Sequence, residues 1–559
     1  MYGRSVSAGW KQFCFSNTKL DGEKVFFKHR KLQKDSREFR LLKLHRRMPL
    51  APVLCTLVEL SVDDNHDHPY EAISYVWGND EQKSREIILN GLPFPVSSVV
   101  HDILEGHSSS FKTRFLWIDS ICIDQTDLKE RSEQVRLMRD IYHGTERVVV
   151  WLGHSDDAQL MPRLLTLLKG LIFMNNFSDA DLCKFFDGKT KSPSWLALVK
   201  LYQNPWFRRV WVIQEIAVAT KVHVIYGGRY LDWMELVYTM SAFLEPEMST
   251  LLLTTENVRD KRELILALRS AQQMERYRDE LHMKNPLSLQ EVILGCSTSL
   301  ATDPRDKVYG LLGIATDLDP LDESLFPDYD KSVEEVYTAI ARHFLSKDDD
   351  ADADALHILP LAGIGHSRTL QHLPSWVPDF SGEPRTNPFA HTENGNGLKY
   401  RASGTSKPQI HSAPDDLEEI VLGGMYIDEI HQLGDLIHSL EEPSDTADLY
   451  HVISQVMKLA SWHHEAHDLA LARQNSNLKD HDYCYYPNGQ PVAEAYWRTL
   501  LGDRIPTTRP APTEYGECYG FCEEFFQLYE NLSQQPQFLN SCTPQDPDRN
   551  QKARQFLFA

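Results

Sequence analysis

Two carboxylates stand where an open α/β sheet would present them to a ligand. Asp119 follows the apolar run FLWI at the end of a predicted strand, and open α/β sheets bind ligands outside the carboxyl ends of their strands. Glu215 lies in the mostly apolar stretch VWVIQEIAVA, where a buried carboxylate is costly unless it is paired or has a task. A fixed negative charge there would stabilise an oxocarbenium-like transition state during cleavage of a glycosidic bond.

Each carboxylate also has a structural interpretation. Glu215 could pair with Arg208 or Arg209, about two helical turns earlier. Asp119 could instead cap its own turn. The sequence alone does not decide whether each of these carboxylates has a catalytic or a structural role.

Six further positions are candidates for contacts with a nucleotide. They end a predicted strand or precede a predicted helix, and they are Ser74, Tyr75, Trp77, Gly78, Asp124 and Gln125. Gly78 permits close approach of the backbone and Trp77 offers a ring for stacking, although such aromatic residues more often belong to the core. N–H groups near Asp124 and Gln125 could bind phosphate, while capping by Asp124 is the favoured alternative.

The elements that must position these residues alternate along the chain. Strands are predicted at 37–44, 53–60, 71–76, 85–89, 115–118, 148–152 and 222–226. One helix is predicted over 97–105, and a second begins at Asp127, with Glu130 at the capping-box spacing and otherwise on the exposed face. This alternation predicts an α/β domain with a mostly parallel sheet and right-handed crossovers.

The length of 559 residues requires more than one core. We expect six segments: a basic arm (1–36), an α/β domain (37–230), a mainly helical region (231–380), a linker or long loop (381–418), an α+β region (419–533) and a loose tail (534–559).

Charge and cysteine content limit the partners and the compartment. Residues 1–50 carry 13 Lys/Arg against 4 Asp/Glu, a net +9, which leaves −31 for the remainder. The acidic body argues against nucleic acid as a partner. Nine scattered cysteines indicate a reducing compartment, so a cytoplasmic location is expected. No apolar run is long enough to predict a transmembrane segment.

The sequence lacks the motifs of several other classes of enzyme and of metal sites. No Walker-type phosphate loop and no Gly-x-Ser-x-Gly elbow occurs, which argues against an ATPase, a kinase or a serine hydrolase. Neither Cys518 with Cys522 nor the histidines of the string HHEAH complete a metal-ligand pattern, so no metal is predicted.

Three ordered islands resemble the fungal heterokaryon-incompatibility (HET) domain family. YEAISYVWG (70–78) is similar to its opening block, LWIDSICIDQ with ERSEQVRLMRDIY to its middle block, and RRVWVIQE to its closing block. Ile73 and Asp124 depart from the usual Leu and Asn. Later segments also resemble long HET-domain proteins, including DPRDKVYGLLGIA and LPSWVPDF.

The resemblance implies a role in non-self recognition between fungal cells and in programmed cell death. HET domains in turn resemble TIR domains, which have a flavodoxin-like parallel sheet and include NAD glycohydrolases. The Trp-x-x-x-Glu segment from Trp211 to Glu215 resembles the one that carries the catalytic glutamate of TIR enzymes. The resemblance implies NAD as a substrate rather than a permanently bound cofactor, self-association, and an unknown protein trigger. The alternative is a non-catalytic assembly module that signals by oligomerisation.

Overall fold

The computed structural model describes most of the first two thirds of the chain and shorter parts of the rest. The described residues are 25–33, 36–64, 68–77, 85–173, 193–244, 258–319, 322–346, 355–362, 368–382, 409–412, 419–424, 426, 458–467, 491–500 and 511–533. The chain divides into two compact units. Unit 1 comprises residues 1–255, 260–344 and 365–384, and unit 2 comprises 256–259, 345–364 and 385–559.

Unit 1 is built on a nine-stranded sheet. Its strands are β1 (Glu38–Leu44), β2 (Leu54–Ser61), β3 (Glu71–Tyr75), β4 (Arg85–Leu89), β5 (Leu92–Val96), β6 (Arg114–Trp117), β7 (Arg147–Trp151), β8 (Val222–Tyr226) and β9 (Arg229–Asp232). Their order across the sheet is β5-β4-β2-β1-β6-β3-β7-β8-β9.

The centre of this sheet is a parallel block of four strands, β6-β3-β7-β8. Numbered along the chain, these strands have the order 2-1-3-4, which is that of the first four strands in a flavodoxin-like sheet. The order reverses between β3 and β7, and ligands bind at such a reversal, beside the carboxyl ends of the strands. The TIR-like classification itself stays a prediction.

The sheet as a whole is mixed, so the expectation of a mostly parallel sheet is confirmed only in part: its centre is parallel, and outside the centre β2 also pairs in parallel with β4. β1 pairs antiparallel with both β2 and β6, and the outer pairs β4–β5 and β8–β9 are antiparallel hairpins. Tight turns make antiparallel pairing possible without a crossover helix. In the first hairpin, the turn Asn90-Gly91 has positive φ at both residues (50° and 83°), as a type I′ turn requires.

The helices of unit 1 connect and follow these strands. They are α1 (Ser98–His107), α2 (Asp119–Cys122), α3 (Leu128–His143), α4 (Met161–Phe173), α5 (Pro193–Tyr202), α6 (Trp211–Ala217), α7 (Trp233–Ala242), α8 (Val258–His282), α9 (Leu289–Gly295), α10 (Asp306–Leu312) and α11 (Val333–Ser346). Short 3₁₀ turns cover Asp156–Gln159, Pro205–Arg208 and Glu323–Leu325.

The start of α3 confirms the predicted cap and corrects the role of Glu130. Asp127 is the N-cap, and its side chain accepts hydrogen bonds from the N–H groups of Lys129 and Glu130. Glu130 is buried rather than exposed, and its carboxylate pairs with Arg40 at 2.5 Å and 3.0 Å. It also accepts a hydrogen bond from the backbone of Asp124 at 2.7 Å. The residue therefore fixes the loop before α3 to β1.

The five described cysteines are all buried. Cys55, Cys122 and Cys296 lie in unit 1, and Cys518 and Cys522 lie in unit 2. Burial raises the pKa of Cys55, Cys122 and Cys522 to about 12. These thiols therefore stay protonated and unreactive in the folded protein.

Unit 2 contains short helices and one strand pair in its described part. Gln409–Ser412 pairs antiparallel with Ile420–Gly423. Helices cover Leu359–Ala362, 458–467, Val492–Leu500 and Glu514–Ser533, with a 3₁₀ turn at Ala355–Ile358. His463 is buried and packs against the rings of Tyr496, Tyr519 and Phe526.

Some predicted segments lie outside the described residues, and the segment boundaries remain predictions. Residues 1–24 of the basic arm, most of the linker (383–408 and 413–418) and the tail 534–559 belong to this group. Residues 25–33 are described, and they contact unit 1. His29 Nε2 lies 2.8 Å from the carbonyl oxygen of Ile121, and Phe27 N donates to Pro93 O at 3.1 Å. Among the described helices, none combines the length and apolarity needed to cross a membrane.

Candidate functional site

The carboxyl ends of β3 and β6 are joined by three side chains from the sequence islands. Tyr75 donates its hydroxyl hydrogen to Asp119 Oδ1 at 3.0 Å, and the Trp77 indole donates to Asp119 Oδ2 at 2.9 Å. Because β3 and β6 are parallel neighbours, their ends meet at one edge of the sheet. The residues that were predicted to converge from distant parts of the sequence therefore do so here.

A second, deeper layer brings Ser74 and Glu215 together. Trp206 donates from Nε1 to Ser74 Oγ at 2.8 Å. The hydroxyls of Ser74 and Tyr142 lie near the Glu215 carboxyl group and lower its pKa, while Glu215 Oε2 has no hydrogen-bond partner among the described residues. The carboxyl group is thus buried, with one oxygen available for a further donor.

Burial dominates the electrostatics of Glu215. It raises the pKa of this carboxyl group to about 7; the charge of Arg209 and the Ser74 and Tyr142 hydroxyls lower it, and the charge of Asp119 raises it. Both protonation states are therefore populated near neutral pH, which is the range in which a side chain can act as acid or base.

Asp119 experiences a similar balance at the edge of the sheet. Burial raises its pKa, whereas the charge of Arg209 and the hydrogen bonds from Trp77, Tyr75 and Ser120 lower it. Arg209 also donates to the carbonyl oxygen of Tyr75. One guanidinium thus lies close enough to influence both candidate carboxylates.

The alternative pairing of Glu215 with Arg208 is not what the structure has. Arg208 forms an ion pair with Glu263 and donates to the carbonyl oxygen of Thr298 at 3.0 Å. Arg209 acts on Glu215 through its charge. The structural interpretation therefore holds only in part: Glu215 has a nearby positive charge, that of Arg209, and no ion pair with Arg208.

Exposure differs sharply between the two layers. Trp77 is 45 % exposed, whereas Glu215 and Ser74 are 5 % and 1 % exposed. A ligand at the sheet edge would touch Trp77 and Asp119 directly. It would reach Glu215 only after a rearrangement of the side chains above it.

A large cavity of unit 1 lies at another place. It has a volume of about 740 Å³ and is lined by α3, by the loop after α10 and by Gln214. Of the candidate site residues that the structure describes, none lines this cavity. Gln214, next to Glu215 on α6, accepts a hydrogen bond there from the backbone of Gly313 at 3.1 Å.

The remaining predicted contacts are placed next to Asp119 or lie outside the described residues. Asp124 accepts hydrogen bonds from the N–H and hydroxyl of Thr126 at 3.1 Å and 2.7 Å, which is a turn-capping geometry. Gln125 donates to the carbonyl oxygen of Asp119 at 3.1 Å. Gly78 lies outside the described part of the chain. A nucleotide contact by any of these three remains a prediction.

Two members of the site were not singled out from the sequence. In the sequence, Trp206 and Tyr142 look like aromatic residues of the core, and both are buried in the structure. Their polar atoms nevertheless contact Ser74 and Glu215. A buried tryptophan or tyrosine usually has a hydrogen-bond partner. The sequence therefore indicates that each of these residues has a partner, but it does not identify that partner. Trp211, by contrast, donates to Asp306 at 3.0 Å, away from Glu215.

This arrangement has defined chemical capabilities. Two carboxyl groups with raised pKa lie near one guanidinium, under a partly exposed indole ring. The ring can stack on a planar group, and the carboxylates can stabilise a cationic transition state. The buried tyrosines remain protonated, since burial raises the pKa of Tyr75 and Tyr142 well above the usual value.

Comparison with known proteins identifies the region that carries this site. Residues 70–215 match the model of the family described as heterokaryon incompatibility protein (HET). The chain is also similar to the Neurospora crassa protein named heterokaryon incompatibility protein 6, OR allele, with 28% identity over 367 residues. That match covers 56% of this chain and 53% of the relative, so the chain spans about half the length of the curated protein it matches. No solved structure matches the chain.

Proposed function

This chain is a HET-domain protein, and we propose that it acts in the cytoplasm in non-self recognition between fungal cells, leading to cell death. The proposal is supported by the match of residues 70–215 to the HET family and by the similarity to the Neurospora heterokaryon incompatibility protein. It is a proposal for the whole protein, because the similarity covers about half of each chain.

The chemistry we propose for the HET domain is hydrolysis of NAD. Water attacks the nicotinamide-bearing ribose carbon while the C–N bond breaks, which gives nicotinamide, ADP-ribose and one proton. The convergence of Asp119, Ser74 and Glu215 at the carboxyl edge of β3 and β6 carries this proposal. In it, Trp77 stacks on a planar ring of the substrate, and the ionised carboxylates stabilise the oxocarbenium-like transition state.

Nicotinamide release from NAD by the purified full chain tests this chemistry. We expect release by the wild type and a decrease of about 100-fold or more for Glu215→Gln, the size typical for loss of one transition-state contact. Glu133→Gln, at a glutamate of α3 that lines the separate cavity of unit 1, is the matched control and should retain activity. Equal rates for wild type and Glu215→Gln would remove Glu215 from the mechanism. No release by the wild type, including at concentrations that favour self-association, would exclude the reaction.

The burial of Glu215 favours a second candidate, a non-catalytic assembly module. In that case the carboxylate network stabilises the domain, and killing depends on oligomers nucleated by an unknown protein trigger. Removal of residues 1–24 tests the contribution of the basic arm better than removal of 1–36, because residues 27 and 29 contact the body of unit 1. If cells expressing Glu215→Gln still die and cells expressing the protein without residues 1–24 do not, the assembly module is favoured over the enzyme.

A further inference from the structure

Four side chains with metal-binding chemistry cluster between α1 and the loop after β7. His101, Asp102 and Glu105 project from α1, and one ligand atom of each lies within 4.8 Å of the others. His154 follows β7, and its Nε2 lies 3.4 Å from Asp102 Oδ2. Two imidazoles and two carboxylates therefore come from two separate elements of unit 1.

Two distances in the cluster are close to those of a tetrahedral site. Zinc bonds to nitrogen and oxygen ligands are about 2.0–2.2 Å long, which places neighbouring ligand atoms about 3.3–3.6 Å apart. His154 Nε2 and Asp102 Oδ2 are separated by 3.4 Å, and His101 Nδ1 and Glu105 Oε2 by 3.7 Å. To close the site around an ion, the three ligand atoms of α1, which lie within 4.8 Å of one another, would draw together and the exposed His154 side chain would turn toward them.

His101 provides an independent indication of a ligand. Its Nδ1 is shielded from solvent and has no hydrogen-bond partner among the described residues. Its side chain is only 13 % exposed. Buried polar atoms normally have a partner, and an orphan among ligand-type side chains points to an unseen one.

Further contacts orient the cluster from outside. Arg47 Nη2 donates to Glu105 Oε1 at 2.7 Å, which leaves Oε2 of the same carboxylate turned toward His101. The ring of His154 lies edge-on to Trp151, with ring centroids 6.0 Å apart. Such outer contacts hold ligands in the orientation that a metal needs.

We propose that His101, Asp102, Glu105 and His154 bind one divalent transition-metal ion of the zinc class. Imidazole ligands favour zinc and related ions over calcium and magnesium, which prefer oxygen alone. The ion would connect α1 to the loop after β7, beside the point where the strand order reverses between β3 and β7. No metal pattern is visible in the sequence because His154 is far along the chain from the other three ligands.

Titration of the full-length protein with Zn²⁺ in competition with a chromophoric chelator tests this site. We expect one equivalent of zinc per chain to be lost in His101→Ala and in His154→Ala, with affinity lowered by more than about 100-fold. Arg47→Gln should weaken binding by roughly 10-fold, the lower end for an outer contact. His372→Ala, at an exposed histidine of the same unit, is the matched control and should bind like the wild type.

A cobalt spectrum and thermal unfolding provide readouts that do not depend on any activity. Co²⁺ in the wild type should give the intense visible bands of four-coordinate cobalt, which both histidine variants should lack. Zinc should raise the Tm of the wild type but not of the variants. Circular dichroism without metal checks that the variants fold. Zinc affinity that is unchanged in His101→Ala and His154→Ala, or its absence in the wild type, would show that the cluster forms ion pairs only.

Discussion

The indole of Trp77 holds Asp119 by a hydrogen bond of 2.9 Å and thereby joins the ends of β3 and β6. The indole of Trp206, one layer below, donates to Ser74 at 2.8 Å. The two bonds have the same donor and similar length, but Trp77 is 45 % exposed and Trp206 is fully buried. Comparison of these two hydrogen bonds therefore separates the effect of burial on stability from the effect of the hydrogen bond itself.

We expect Trp77→Phe to lower the free energy of unfolding by about 1 kcal/mol or less, because water can replace the lost donor. Trp206→Phe should cost about 2–4 kcal/mol, since it leaves the Ser74 oxygen without its donor and opens a small void. Urea unfolding followed by circular dichroism measures both. Similar values for the two variants would contradict the buried network.

Replacement of Glu215 should change how stability depends on pH. Its pKa is raised to about 7 in the folded protein from 4.5, so the folded state binds the proton more tightly than the unfolded state. The stabilisation from the protonated form is complete below the unfolded pKa and is lost as pH rises through about 7. Relative to wild type, Glu215→Gln should therefore gain up to about 3 kcal/mol between pH 4.5 and pH 8.

Urea unfolding of both proteins at pH 4.5, 6 and 8 provides the measurement. Glu133→Gln serves as the control for the replacement of a glutamate by glutamine elsewhere in unit 1. A constant difference between Glu215→Gln and wild type across this range would mean that folding leaves the pKa of Glu215 unchanged, and it would contradict the raised pKa.

The buried pair of Arg40 and Glu130 gives a third prediction. Arg40→Met should destabilise the protein by about 3–5 kcal/mol, because it leaves the Glu130 charge buried without its partner. The double variant Arg40→Met, Glu130→Met should recover a large part of that loss. Arg30→Met breaks the exposed contact with Glu59 at 3.8 Å and should change stability by less than about 1 kcal/mol. Chemical denaturation of the four proteins decides between these outcomes.

Two adjacent glycines after β8 provide a matched test of backbone packing. Both have positive φ, +52° at Gly227 and +72° at Gly228. A Cβ at Gly227 would lie 2.8 Å from the carbonyl oxygen of Ser155 and 2.4 Å from Ala158 Cβ, whereas Gly228 has open space. We expect Gly228→Ala to cost about 1 kcal/mol and Gly227→Ala at least about 2 kcal/mol more. Thermal unfolding of both variants checks the difference, and equal Tm values would contradict it.

The sequence predicted local features of unit 1 well because they depend on neighbouring residues. Strand β8 has the predicted bounds, and Asp127 caps α3. The turn at Asn90-Gly91 follows from the positive φ that these residue types tolerate. The parallel centre of the sheet follows from the alternation of strands and helices.

Long-range pairings could not be predicted in the same way. Glu130 looked like an exposed helix residue because its partner Arg40 is 90 positions away. Trp206 is 132 positions from Ser74, and no local pattern links the two. The antiparallel flanks of the sheet likewise depend on which strand β1 contacts, and apolar periodicity does not specify a neighbour.

The burial of thiols in both units has a practical consequence. A cysteine with a pKa of about 12 reacts with an alkylating reagent only when its surroundings open. Cys55 and Cys122 report on unit 1, and Cys518 and Cys522 on unit 2. Mass spectrometry of time-resolved alkylation would thus measure, separately for each unit, the rate at which local opening exposes its cysteines.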